Sequence, residues 1–353
     1  MSERKRILTG VRPTGPLHLG HYAGAVENWV HLQHEYDCTF LIADYQVSDF
    51  ADDIPRVRNA VWGVALDWLA AGLDPESSDF IIESMVPEHS ELLTWLAWFL
   101  PLGMLERNPT LKAEMQAIEA PGDGKTGRKS VPVAFYIYPV MQVANILLFR
   151  SHLVPVGEDQ LPLVELAREM ARRFNRESKP IFPEPEALLG RARRLLGTDG
   201  KAKMSKSRGN TIDLRDSAET VAEKVRRMYG GPPRRANEPG KVEENPIFSY
   251  LDAFDRDAAR VQELKVRYER AGVSATELRN RLTSVLNELL EPMRERRARY
   301  ESNMSLVREA IEQGTKRGRV TARETMAMVR DALDLDYLRE AGARPGVPPR
   351  PSK

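Results

Sequence analysis

The chain has 353 residues, of which 42% are hydrophobic and 29% charged, a balance typical of globular proteins and a length sufficient for two domains, each with its own core. Its 52 Lys and Arg residues and 51 Asp and Glu residues leave a formal charge of +1, so a polyanionic partner would be bound by local basic patches. A single cysteine, Cys38, excludes an intramolecular disulfide, a Cys-rich zinc site and a Cys-ligated iron–sulfur cluster. The absence of a ~18-residue apolar run and of a signal-peptide pattern predicts a cytoplasmic protein without a membrane span.

Short β-rich runs alternate with amphipathic helical patterns in the first part of the chain. The runs at 6–11, 38–44, 78–84 and 152–157 are predicted to be buried strands. Alternation of this kind predicts an α/β fold, a Rossmann-like doubly wound parallel sheet with helices on both faces, and we assign it to residues 1–215.

The β pattern ends after residue 215, and only helical patterns follow. They open at Ser217, Ser274 and Thr321, residue types that suit a helix N-cap. We therefore predict an all-helical C-terminal domain over residues 216–340. The proline-rich end, residues 341–353, is predicted to be a flexible tail.

A turn rich in glycine and proline follows the first strand and opens a helix that contains "HLGH", residues 18–21. Ligands of doubly wound sheets bind beyond the carboxyl ends of the strands, where helix N-termini favour phosphates. His18 and His21 can donate hydrogen bonds to phosphate oxygens there, and Gly20 leaves room for a nucleotide. The H-x-x-H spacing could also be accidental or suggest a metal, but no acidic or Cys third ligand is nearby, so no protein metal site is expected.

The stretch "GKAKMSKSRGN", residues 200–210, contains four cations on a glycine-flanked segment. Alone, such a segment is expected to be a solvated surface loop. A mobile cationic loop also suits a role in which its charges engage only near a transition state.

Taken together, "HLGH" and "KMSKS" (residues 203–207) resemble the two motifs of the class I aminoacyl-tRNA synthetases. "GVRPTGPLHLGHYAG" and "VPVGEDQ" (residues 154–160) are similar to the tryptophanyl branch of that family. The resemblance spans nearly the whole sheet domain and is fainter in the helical part. It implies activation of L-tryptophan by ATP with Mg²⁺, transfer to tRNA(Trp), and a homodimer. It also implies that residues 216–340 bind the anticodon and that a helical insertion at about 104–150 holds part of the amino-acid pocket and the dimer region.

The resemblance assigns catalysis to His18, His21, Lys203 and Lys206, with the two lysines holding charge on the pyrophosphate leaving group. It assigns the ATP site to Arg12, Pro13, Thr14, Gly20, His21, Gly157, Glu158, Asp159, Arg194, Lys203, Met204, Ser205, Lys206 and Ser207. From the residues alone, Asp159 could accept hydrogen bonds from ribose hydroxyls, or could simply cap the helix that follows.

A polar stripe runs along an otherwise apolar helical pattern at residues 134–149. Tyr138, Gln142 and Asn145 are spaced i, i+4 and i+7, and buried polar groups at such positions bind either a ligand or nearby backbone. The resemblance places Tyr138 near the α-amino and carboxylate groups of the substrate and Asn145 near its indole N–H. The residues it assigns to the amino acid are Leu8, Gly10, Tyr138, Gln142, Asn145 and Gln160.

Three positions depart from the family pattern. Asn145 stands where the bacterial tryptophan enzymes usually have Asp, Gln142 where they usually have Met, and Glu114 where a second lysine would help to hold pyrophosphate. An amide accepts from an indole N–H without charge assistance. These changes predict a pocket that also accepts ring-substituted tryptophan.

Other patterns leave alternatives open. "GDGKTGRKS" (122–130) resembles a phosphate-binding P-loop, but Arg128 stands where Lys is required and no strand precedes it. The basic clusters at 224–235 and 293–300 are either solvated helix faces or tRNA contacts. Three rival hypotheses are a tyrosyl-type enzyme, an adenylating paralogue that charges no tRNA, and an RNA-binding protein with an inactive nucleotide site. "VPVGEDQ" argues against the tyrosyl-type enzyme, and the intact motifs argue against the RNA-binding protein.

Overall fold

The computed structural model describes residues 4–119, 132–190, 195–233, 238–335 and 337. Its centre is a five-stranded sheet of order β3-β2-β1-β4-β5 in which all neighbouring strands are parallel. The strands are β1 Arg6–Val11, β2 Asp37–Ile42, β3 Ser78–Ile82, β4 Leu153–Val156 and β5 Glu186–Leu189. The strand order changes direction between β1 and β4, which is where doubly wound sheets bind ligands. The predicted fold class is confirmed.

Helices surround and extend this sheet. In the first part they are α1 Leu19–His21, α2 Glu27–Leu32, α3 Ile54–Ala71, α4 Glu88–Phe99, α5 Leu102–Glu106, α6 Pro109–Glu119, α7 Val133–Leu148 and α8 Leu161–Glu177. A π-helical turn, Tyr22–Val26, joins α1 to α2. After the sheet come α9 Ala218–Arg227, α10 Pro246–Phe254, α11 Ala258–Glu269, α12 Ala275–Glu301 and α13 Met304–Ala332. No helix within the described ranges is both long and apolar enough to cross a membrane.

Local hydrogen bonds explain where several helices begin. The Ser217 hydroxyl accepts from the Thr220 N–H at the start of α9, and the Ser274 hydroxyl accepts from the Glu277 N–H at the start of α12, so both predicted N-caps are confirmed. The predicted helix start at Thr321 is wrong, because Thr321 lies inside α13.

The sheet separates two apolar cores because successive strand side chains point to opposite faces. Ile7, Phe40 and Phe80 lie in one core, where Phe40 packs against Trp29 and Trp68. The residues that follow them in the strands, Leu8, Leu41 and Ile81, lie in the other core with α4, α7 and α8. Helices therefore cover both faces, as predicted.

The C-terminal helices share these cores with the sheet. The first core continues into α9–α12, and the second includes Ala322, Met326 and Val329 of α13. Helix α13 lies so close to β3 that a Cβ atom at Gly314 would be 2.5 Å from the backbone N and O of Phe80. The sheet and the C-terminal helices therefore share both apolar cores. The tail at 341–353 and the segment 122–130 lie outside the described residues.

Candidate active site

The turn after β1 brings two histidines together. His18 is 5% exposed and caps α1, with its Nδ1 accepting from the Gly20 N–H at 3.1 Å. The backbone N–H of His18 in turn donates to Nδ1 of His21 at 3.2 Å. Because both Nδ1 atoms accept, each neutral ring has its proton on Nε2 and can donate from there. Burial, with a smaller effect from Lys206, lowers the pKa of His18 to about 4, and burial lowers that of His21 well below its usual value, so both rings are neutral at pH 7.

The lysine-rich loop lies directly against this turn. The Lys206 ammonium donates to the Gly15 carbonyl at 2.8 Å and to the Thr14 hydroxyl at 3.3 Å. Met204 is buried, and its Sδ would be 3.3 Å from a Cβ atom at Gly20, so the space beside that glycine is filled by Met204 and His18. Lys203 is exposed. The loop is thus anchored through Met204 and Lys206 and is not the fully solvated segment that its composition alone suggests.

Strand β4 ends at a third element of the same site. Gly157 precedes a 3-10 turn, Glu158–Gln160, that leads into α8. Within this part of the described chain, the first N–H groups of α8 donate no hydrogen bond to the N-cap side chain, so Asp159 does not have the capping role considered for it. Asp159 is exposed and accepts from the Gln160 side chain at 3.1 Å. Its carboxylate is therefore open to a further hydrogen-bond donor such as a ribose hydroxyl.

Helix α7 turns part of its polar stripe inward. Tyr138 and Asn145 are buried, whereas Gln142 is only half-buried. The Tyr138 hydroxyl is buried and has no hydrogen-bond partner of ordinary geometry among the described residues. Burial, reinforced by the Glu114 carboxylate, raises the pKa of Tyr138. The Glu114 carboxylate is therefore a neighbour of the Tyr138 hydroxyl.

A buried polar cluster surrounds Asn145. Its Nδ2 donates to Oε1 of Glu83 at 2.7 Å, and Nε2 of Gln46 donates to the same oxygen at 3.2 Å. Burial raises the pKa of Glu83 to about 7 and lowers that of His89 to about 3. A cavity of about 20 Å³ lies here, lined by Tyr45, Glu83, His89, Ser90, Leu93, Met141 and Asn145. The carboxyl group of Glu83 therefore lies next to the amide nitrogen of Asn145.

Comparison with known proteins identifies the family. The sequence pattern of "tRNA synthetases class I (W and Y)" matches residues 1–291. The chain belongs to this family. A tryptophan–tRNA ligase of Clostridium longisporum is 42% identical over 94% of the chain and 97% of the relative. A tryptophan–tRNA ligase of Treponema pallidum is 44% identical, with the same coverage of both chains.

Solved structures agree with this assignment. The tryptophanyl-tRNA synthetase of Campylobacter jejuni, complexed with ADP and tryptophan, superposes with a TM-score of 0.81 at 32% identity over 94% of this synthetase and 100% of that chain. The tyrosyl-tRNA synthetase of Archaeoglobus fulgidus, complexed with L-tyrosine, gives a TM-score of 0.61 at 26% identity over 83% and 90% of the two chains. The resemblance to class I synthetases and their tryptophanyl branch is confirmed.

Several other predicted residues of this synthetase lie in β1, just after it, or in the lysine-rich loop. Leu8 is buried in β1, and Gly10 pairs with Leu41 in the register of β1 and β2. Arg12 forms an ion pair with Asp49. The Ser205 N–H donates to the Asn210 side chain at 2.8 Å. Arg194 and the side chain of Ser207 lie outside what the structure describes.

The basic cluster at 293–300 of this synthetase is mostly bound within the chain. Arg297 forms ion pairs with the buried Asp67 and with Glu301, and Arg296 donates to the Ala70 carbonyl at 2.7 Å. These two guanidinium groups therefore do not form the free basic surface that the sequence suggested for tRNA. Arg299 is exposed, with its guanidinium carbon 6.0 Å from the Tyr300 ring centroid.

Proposed function

We propose that this synthetase joins L-tryptophan to AMP at the expense of ATP and then transfers the tryptophanyl group to tRNA(Trp). The observation that supports it most strongly is the hydrogen bond of Lys206 to the turn that holds His18 and His21, because it brings both family motifs to one place. The similarity to tryptophan–tRNA ligases supports the choice of amino acid.

The chemistry requires positioning and charge, not a protein nucleophile. The tryptophan carboxylate attacks the α-phosphorus of ATP, a new P–O bond forms, and the bond to pyrophosphate breaks. Neutral His18 and His21 donate from Nε2 to phosphate oxygens, while Lys203 and Lys206 neutralise the charge that moves onto pyrophosphate. Magnesium would enter with the triphosphate as part of the substrate. A terminal ribose hydroxyl of tRNA then attacks the tryptophanyl carbonyl, and AMP leaves.

ATP–pyrophosphate exchange followed by tRNA charging tests this proposal. Exchange should depend on tryptophan and not on tyrosine, and charging should require tRNA(Trp). Exchange with tyrosine would favour the tyrosyl-type alternative. Exchange without charging would favour a paralogue that only adenylates, and no exchange with any amino acid would contradict the proposal. Since charged tRNA is consumed at ribosomes, the proposed site of action is the cytoplasm.

We also propose that the synthetase is a homodimer. Trp98 is 71% exposed, Leu102 63% and Val133 75%, and these apolar side chains lie on α4, α5 and the start of α7, which packs against α4. Apolar side chains exposed together are typical of an interaction surface. A two-fold axis would bury the same surface of both copies.

Trp98→Glu is expected to convert the dimer into a monomer, because it places a charge in the centre of an apolar interface. Sedimentation velocity measures the result directly. Val320→Glu is the matched control, since Val320 is 57% exposed on α13 and follows Arg319, which pairs with Glu88 at the opposite end of α4 from Trp98. A wild-type protein that sediments as a monomer at micromolar concentration would refute the homodimer.

A further inference from the structure

Hydrogen bonds between residues from three parts of the chain hold the Asn145 side chain in one orientation. Its Nδ2 donates to Oε1 of Glu83 at 2.7 Å, and Gln46 donates to the same oxygen at 3.2 Å. Glu83 follows β3, Gln46 follows β2, and Asn145 lies in α7. Asn145 is 3% exposed and Glu83 1% exposed, so solvent does not compete for these bonds. A carboxylate can only accept, and it therefore turns the amide nitrogen of Asn145 toward itself.

The oxygen of the same amide, Oδ1, is available to accept a hydrogen bond. Oδ1 of Asn145 is buried and has no hydrogen-bond partner of ordinary geometry among the described residues, although the neutral His89 ring lies beside it. A buried carbonyl oxygen without a partner costs free energy, which a donor from a ligand would recover. The indole ring of tryptophan has a single polar hydrogen, on its ring nitrogen, and this hydrogen matches a single acceptor.

Within the part of the chain that the structure describes, no cation neutralises the charge of Glu83. Oε1 of Glu83 accepts from Asn145 and Gln46, and its buried Oε2 has no hydrogen-bond partner of ordinary geometry among the described residues. The neighbouring Asp44 carboxylate acts against its ionisation, and His89 beside the amide is neutral. Burial raises the pKa of Glu83 to about 7, so above that pH its negative charge polarises the amide in this buried site and makes Oδ1 a stronger acceptor.

We propose that Glu83 is a positioning residue for tryptophan selection: it orients Asn145 so that Oδ1 accepts the indole N–H, and it transmits its charge to that hydrogen bond through the amide. This inference rests on the proposed tryptophan activity. It means that the carboxylate usually found at position 145 of the bacterial tryptophan enzymes has a counterpart here, one residue farther from the substrate.

Three variants test the arrangement. Glu83→Gln removes only the charge, because a glutamine oxygen can still accept from Asn145 and Gln46. Asn145→Asp places two carboxyl groups against each other, which repel when both are ionised. The double variant Glu83→Gln with Asn145→Asp exchanges the two groups and restores one amide–carboxylate pair. Circular dichroism spectra and melting temperatures check that all three fold.

The readout is the ratio of kcat/KM for tryptophan to kcat/KM for benzothienylalanine, in which sulfur replaces the ring N–H. ATP–pyrophosphate exchange measures both substrates. At pH 8, above the pKa of about 7 of Glu83, Glu83→Gln is expected to lower this ratio by about tenfold, the difference between a charge-assisted and a neutral hydrogen bond. Asn145→Asp alone is expected to raise KM for tryptophan by about tenfold at pH 8 through carboxylate repulsion. The double variant is expected to recover the wild-type ratio.

The outcomes separate this inference from the proposed function. If the wild type shows no tryptophan-dependent exchange, the proposed function fails and the inference with it. If the wild type uses tryptophan but Glu83→Gln leaves the ratio unchanged, the inference alone is wrong. An equal loss for both substrates would show that Glu83 has only a structural role, and a double variant no better than Asn145→Asp would also overturn the inference.

Discussion

Lys206→Ala is expected to slow tryptophan-dependent ATP–pyrophosphate exchange by about 100-fold or more, the loss typical of one preorganised charge contact to a transition state. The Lys206 ammonium is fixed 2.8 Å from the Gly15 carbonyl and 3.3 Å from the Thr14 hydroxyl, at the turn that presents His18 and His21. Because Lys206 lies outside the cluster around Asn145, the dissociation constant of tryptophan should change little.

Single-turnover adenylate formation and equilibrium tryptophan binding measure these two quantities separately. Lys201→Ala is the matched control, since Lys201 is an exposed lysine of the same loop and should lose no more than about twofold. Exchange at the wild-type rate in Lys206→Ala would remove the loop from the proposed chemistry.

The pH dependence gives the same prediction a second readout. Burial lowers the pKa of Lys206 from 10.5 to about 8, although Asp67 and Asp213 act in the opposite direction. The ammonium is therefore charged below pH 8 and neutral above it. Since kcat/KM reports the free enzyme, kcat/KM for ATP should fall as the pH rises from about 7 to about 9. An arginine stays charged throughout this range, so Lys206→Arg should remove this fall even if its rate is lower.

The sequence predicts the sheet much better than it predicts the packing of the helical part on it. Strands β1 to β4 are apolar runs that local patterns reveal. Strand β5 at Glu186–Leu189 is short and largely exposed, so neither length nor periodicity distinguishes it from a loop. The packing of α13 on β3 depends on Gly314 and Gly318, which along a helical sequence indicate only weakened helix propensity. Only the tertiary structure shows that these glycines allow α13 to pack closely on β3.

The sequence likewise predicts some residues of the active site and not others. His18, His21 and Lys206 belong to compact motifs whose residue types and order are informative in the sequence alone. Glu83 lies near the end of the predicted strand 78–84, and an isolated acid is normally expected to face solvent. Only the packing of α7 over the ends of β2 and β3 shows that it is 1% exposed and bonded to Asn145. Contacts between distant segments therefore limit how far a single sequence reveals a specificity site.

Arg297→Ala is expected to lower the free energy of unfolding by about 3–5 kcal/mol, because it leaves a buried carboxylate without its cation. Asp67 is 1% exposed; one of its oxygens pairs with Arg297 and the other accepts from the Leu17 N–H at 2.7 Å. Urea unfolding followed by circular dichroism measures the loss. Asp67→Asn in the Arg297→Ala background should recover part of it, since no buried charge then remains.

The sign of the pH dependence follows from the same contacts. Burial raises the pKa of Asp67 from 3.8 to about 6, and Arg297 acts in the opposite direction, so removing Arg297 should raise the pKa further. At pH 5 the carboxyl group of the variant is mostly protonated and neutral, whereas at pH 8 more of it is ionised and unpaired. A folded-state pKa above the unfolded value means that stability is lost as the pH rises. The deficit of Arg297→Ala should therefore be larger at pH 8 than at pH 5.

The hydrogen bond between Asp67 and Leu17 also determines which enzymatic activities Arg297→Ala should reduce. Leu17 directly precedes His18, so loosening Asp67 should disturb the motif turn and reduce adenylate formation as well as tRNA charging. If the 293–300 cluster contacted only tRNA, neutralising Arg297 would instead spare adenylate formation. Arg299→Ala is the control: Arg299 is exposed on the same helix and should change stability by no more than about 0.5 kcal/mol. If Arg297→Ala keeps its stability and its exchange activity but loses charging, Arg297 contacts tRNA and does not hold the motif turn through Asp67.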